Sequence, residues 1–153
     1  MTAPLPGALT DAENDLRTAQ SENDPHRQGQ YARSAADSAA EVAVDEGTSE
    51  ADRGRAMEVM NTALTLAAGS LLRQAQSTLA EARGDTDPQR RGELARLAVS
   101  QANQVARHRD ITADERAAAR QVIGHGRMLD ASVRAAGRQR SAECELDGRG
   151  VAI

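Results

Sequence analysis

Of the 153 residues, 31 are alanine, 23 are Leu, Ile or Val, one is tyrosine, and Phe and Trp are absent. So small a supply of large apolar side chains excludes an aromatic-lined ligand pocket and favours helices packed closely on alanine. The net charge of −4 is too low to complete the signature of a disordered chain, which pairs low hydrophobicity with high charge, and the length suits one domain.

No apolar run reaches the roughly 18–20 residues of a membrane span, because the most apolar stretch, 63–72, is interrupted by Thr65, Gly69 and Ser70. The first basic residue is Arg17, with no continuous apolar segment before it, so the N-terminus does not read as a secretory signal. A cytoplasmic location is expected, with no membrane contact. The single cysteine, Cys144, excludes an internal disulfide and a paired-cysteine metal site. All 19 basic residues are arginine, which GC-rich codon usage explains. The first 70 residues carry 12 acids and 5 Arg, and the remainder 11 acids and 14 Arg, so the two halves bear opposite net charge.

In chain order, residues 1–7, with Pro4 and Pro6, are expected to form a flexible tail. A first helix is predicted over 8–21. Asp24-Pro25 then places a capping carboxylate before a proline at the first helical position, whose missing N–H costs nothing there, and predicts a helix over 25–45. Ser49 with Asp52 starts a third segment over 50–68. Only Gly69-Ser70 separates it from a fourth over 71–83, and apolar positions continue in phase across that pair, so 50–83 is predicted to be one long helix, bent at Gly69. Asp87-Pro88 opens a helix over 88–108. Thr112 with Glu115 forms a capping box that opens the last, over 113–137. Residues 138–153, bounded by Gly137 and holding Gly148, are expected to be a second flexible tail.

The order of these signals repeats. Sliding the chain by 63 residues aligns 9–66 with 72–129 without a gap, and 18 of 58 positions are identical. The shared positions include both Asp-Pro caps, Gly29/Gly92, the arginine pairs 27/90, 33/96 and 53/116, and the seam Ala32, Ala35, Ala39, Val42, matched by Ala95, Ala98, Ala102, Val105. That 3-4-3 spacing is a narrow coiled-coil stripe. The expected fold class is therefore all-α: an antiparallel helical bundle over 8–137, built from a tandem duplication of a three-helix unit with a long shared central helix. The period differs from the ~34 residues of tetratricopeptide arrays, whose aromatic positions are also missing.

Catalytic patterns are absent. The chain has no nucleophile elbow, no phosphate loop and no zinc-protease helix, and acids flank Cys144 on both sides, which disfavours a thiolate. No catalytic residue, cofactor or metal is expected. His26 and His108 read as helix-terminus residues. Gly124-His125-Gly126 reads as a close helix crossing, with a small-ligand or enzyme site in a helical bundle as a third reading.

The leading expectation is a non-catalytic protein–protein interaction module, acting as an adaptor, regulator or structural component and self-associating as a homodimer, another protein being the other candidate partner. Its contact residues are predicted to be Arg33, Arg96, Met60, Leu64 and Leu71, with the dimer burying the central-helix stripe Ala56, Met60, Ala63, Leu64, Ala67 and Leu71. The alternative is a DNA-binding or transcription-associated regulator that uses Arg116, Arg120, Arg127, Arg134 and Arg138 on the last helix. The acidic pI of 5.4 and the lack of stacking aromatics weigh against it.

Overall fold

The structure, a computed structural model, describes residues 7–149, and among these every regular element is a helix: α1 Ala8–Ser21, α2 Pro25–Val44, α3 Glu50–Gly84, α4 Pro88–Ala106 and α5 Ala113–Arg149. Of the expected N-terminal tail only Gly7 is described. It is the N-cap of α1 at φ +107°, a left-handed conformation that glycine adopts without strain. The rest of that tail, and 150–153 of the C-terminal one, lie outside the described residues.

Four of the five helix starts have a side chain behind them. The Asp24 and Asp87 carboxylates accept from the backbone N–H of His26 and Gln89 at 3.4 and 3.1 Å. Thr112 and Glu115 form the reciprocal box, each side chain accepting from the other's backbone N–H at 3.1 Å. Ser49 accepts from the Asp52 N–H at 3.2 Å and receives no reciprocal bond, because the aspartate arm is one carbon shorter. α3 is continuous through Gly69-Ser70, where the serine hydroxyl donates to Pro25 O of α2 at 3.0 Å. The C-terminal expectation was wrong: α5 does not end at 137 but runs to Arg149. Gly137 fails to stop it because neither a proline nor a left-handed cap follows, and the Ala, Arg, Gln and Glu of 138–145 are good helix formers.

The core divides into two lobes along α3. In the first, Ala12 of α1, Ala39 and Val42 of α2, and Ala56 and Val59 of α3 form one cluster, with Ala35, Ala36 and Ala63 beside it. In the second, the later part of α3 (Leu72, Ala75, Leu79) meets Ala98, Ala102 and Val105 of α4 and Ala119 and Val122 of α5. The start of α1, the end of α2 and the start of α3 thus meet at one place. All eight residues of the alanine-valine seams are buried. The largest fully buried apolar side chain is Val105, so closeness of approach has to stand in for side-chain volume.

Gly126 shows how close that approach is. A Cβ there would lie 2.6 Å from Val99 Cγ2 and 3.1 Å from the Ala95 carbonyl oxygen of α4, whereas a Cβ at Gly124 meets nothing within 4 Å. The helix crossing expected of Gly124-His125-Gly126 therefore rests on the second glycine alone. Gly124→Ala should stabilise the protein by about 0.5–1 kcal/mol through helix propensity. Gly126→Ala should destabilise it, since overpacking of about 1–3 kcal/mol outweighs the same propensity gain. Thermal melts of the two variants should shift in opposite directions.

Candidate functional site

Between the lobes the middle of α3 is left partly bare, and a groove lies on each side of it. The larger, about 1170 Å³, runs from Gln20 at the end of α1 past Thr65, Leu66 and Gly69 to Asp110 and Glu115. Two of its four charged lining residues are already engaged within the chain: Arg73 donates to the Gln28 side chain, and Glu115 holds the Thr112 N–H. The smaller recess, about 210 Å³, is floored by Leu64, Ala67 and Leu71 of α3 and flanked by Gly29 and Arg33 of α2 and His108 after α4. No carboxylate lines it.

The recess brings together three of the five residues expected at a partner surface: Arg33, Leu64 and Leu71. Leu64 is 37% exposed, an apolar side chain with room for a neighbour. Met60 does not join them; it packs inward against the first lobe. Nor does the expected stripe run unbroken, because Ala56 and Ala63 are fully buried inside that lobe. Period 3.6 turns those two alanines toward α2 while Leu64 stays outward and Leu71, a heptad on, is shared between the recess and the second lobe.

Arg96, the counterpart of Arg33 at the 63-residue offset, has a different fate. Its guanidinium pairs with Asp130 at 2.9 Å, and Arg134 reaches the same carboxylate at 3.1 Å. At that offset Asp130 corresponds to Ala67, Arg127 to Leu64 and Arg134 to Leu71. The second lobe thus carries an ion network where the first carries an apolar floor. Arg33 makes no ion pair among the described residues; its Nε donates to Gly29 O at 3.2 Å.

The arginine stripe of α5 is broken up in a similar way. Arg116 is drawn inward, its two terminal nitrogens donating to Ala106 O at 3.0 Å and His108 O at 3.4 Å. Arg134 is neutralised by Asp130, while Arg120, Arg127 and Arg138 are exposed without an ion pair among the described residues. Arg53, the counterpart of Arg116, donates in the same manner to Asp45 O at 3.2 Å. These two arginines bridge the turn back to the preceding helix. Their repetition just after a cap was the signal for that role. Arg90 does pair locally, with Asp85 at 3.1 Å.

The histidines engage polar neighbours. His125 Nδ1 lies 2.9 Å from an Arg83 guanidinium nitrogen, His108 Nδ1 accepts from the Asp110 N–H at 3.3 Å, and His26 faces Gln30. His125 and its two glycines line neither groove. Among the described residues no group of three or more His, Cys, Asp or Glu could hold a metal, and no helix is long and apolar enough to cross a membrane.

Arg116→Met should lower stability by about 1–2 kcal/mol, the loss expected for charge-assisted bonds to otherwise unpaired helix-end carbonyls. Arg120→Met should stay within about 0.5 kcal/mol of the parent. Urea titrations of the two variants separate a structural arginine from a solvated one.

Compared with known proteins, the chain matches no family model, no curated protein and no solved structure.

Proposed function

We propose that this protein is a non-catalytic helical interaction module that self-associates through the bare middle of α3. The observation that carries this reading is the Leu64, Ala67 and Leu71 floor under an unpaired arginine, at a position whose counterpart in the other lobe is built from Arg127, Asp130 and Arg134. A solvent-facing surface needs the charged version; the apolar version suits a partner.

Two further observations support it. Every ion pair among the described residues joins groups of the same half, Glu13 with Arg55 and Asp52 with Arg55 in the first, the Arg90 and Asp130 pairs in the second. The opposite charges of the halves are therefore not spent against each other within the chain and remain for contacts between chains. The small side chains of the core also leave little stabilisation in a single copy, since a fully buried leucine contributes about 1.5–3 kcal/mol and alanine far less.

We also infer that the two lobes are copies of one duplicated three-helix unit, arranged as antiparallel hairpins that share α3. In support, α2 and α4 begin 63 residues apart, as do α3 and α5, at Pro25 and Pro88 and at Glu50 and Ala113. The pairs Ala12/Ala75, Ala19/Ala82, Ala35/Ala98 and Ala56/Ala119 are each fully buried in both copies. The DNA-binding reading keeps three exposed arginines and no aromatic platform; no observation favours it over the first.

Sedimentation over a concentration series in low and high salt tests the interaction reading. The parent should associate, less strongly in high salt, and Leu64→Asp should weaken that association by about tenfold or more, the value of one buried leucine. A parent that stays monomeric at the highest concentration in both buffers removes self-association as the function.

A further inference from the structure

α5 outruns the fold. Its inward side still meets α4 at Val133, beside Gly92, but every residue from 138 to 148 is exposed. The helix therefore projects about 24 Å beyond Val133 with nothing packed on it. A solvated helix of that length is marginal in water, and the corresponding stretch of α3, 71–84, is covered by α4 and α5.

The projecting end carries an ordered pattern. Ala135, Ala142 and Leu146 share one face, and Leu146 is 68% exposed. Glu143 and Asp147 lie one turn apart on the flank of that face, and Arg140 precedes Glu143 on the same flank. The recess on α3 presents the complement: an apolar floor of Leu64, Ala67 and Leu71, with Arg33 at its edge and Asp37 one turn further along α2, both without an ion pair among the described residues. Read in opposite directions, Arg33 then Asp37 on α2 meets Glu143 then Arg140 on α5. With Glu143 on Arg33, Leu146 falls one turn back along α2, at the level of Gly29 on the wall of the recess.

We propose that the exposed end of α5 from a second copy of this chain docks in this recess, Leu146 on the Leu64–Leu71 floor and Glu143 on Arg33. The exchange is reciprocal, each copy giving its α5 end to the other, as in a two-fold dimer. The contact cannot form within one chain. Glu115 lies beside Gly69 in the middle of α3, and Leu146 is 31 residues further along the same rigid helix, about 46 Å away. The proposal rests on the interaction reading above and names its occupant.

Sedimentation of the full chain with three substitutions tests it, each at an exposed position and each checked for helix content by circular dichroism. Leu146→Asp should weaken self-association about tenfold or more. Arg33→Glu should weaken it about threefold, the scale of an exposed ion pair, and adding Glu143→Arg to Arg33→Glu should restore most of the loss. If Leu64→Asp dissociates the assembly while Leu146→Asp associates as the parent does, the α5 end is not the occupant, and the interaction reading stands without it. If Arg33→Glu weakens association and Glu143→Arg deepens the loss, the proposed register is overturned. A parent that is monomeric throughout overturns both.

Discussion

Close approach of helix backbones over alanine and glycine is the constraint on which the rest of this structure depends. With no Phe or Trp and only one fully buried valine among the larger apolar side chains, the helices gain contact by reducing the distance between their axes. At Gly126 even one methyl group would collide with α4. The middle of α3, where one lobe gives way to the other, is left partly open.

The two lobes meet at a polar rather than an apolar node. Ser70 is fully buried and donates to Pro25 O, and Gln28, almost as buried, donates to Ala19 O at 3.0 Å. The Gln28 bond serves a carbonyl in the last turn of α1, and the Ser70 bond ties the middle of α3 to the first turn of α2. In the second lobe, Arg91 holds the turn by donating to Asp85 O at 3.1 Å. Helix starts recur at the 63-residue offset, at Pro25 and Pro88 and at Glu50 and Ala113, while side chains differ: at that offset Leu64, Ala67 and Leu71 of the recess correspond to Arg127, Asp130 and Arg134.

The helix starts were legible in the sequence, because Asp24-Pro25, Asp87-Pro88 and Thr112 with Glu115 act through bonds to N–H groups two or three residues away. The alanine seams were legible for a similar reason: a repeat at helical spacing needs no knowledge of the neighbour. The end of α5 was not, since Gly137 ends a helix only when the following backbone turns left-handed, and one residue does not show that. The recess was half legible. Leu64 and Leu71 belonged to an apolar stripe at helical spacing and Arg33 had no acid one turn before it, while the roles of Arg96 and Arg116 depended on Asp130 and the Ala106 carbonyl, groups 34 and 10 residues distant. Which face of α3 each alanine turned to depended on where α2 lay.

A single 35-residue helix runs through both lobes, and this shapes how the molecule comes apart. Because each lobe borrows its third helix from α3, neither can melt fully without stripping the helix that the other is built on, and the two cores behave as coupled neighbours in a linear array. A lesion in α1 is felt first in its own lobe; one in α3 reaches both. The lone aromatic ring, Tyr31, sits on α2, so near-ultraviolet signals report the first lobe while far-ultraviolet signals average both. Coincidence of the two melting curves is then a direct reading of how strongly one shared helix ties the halves together.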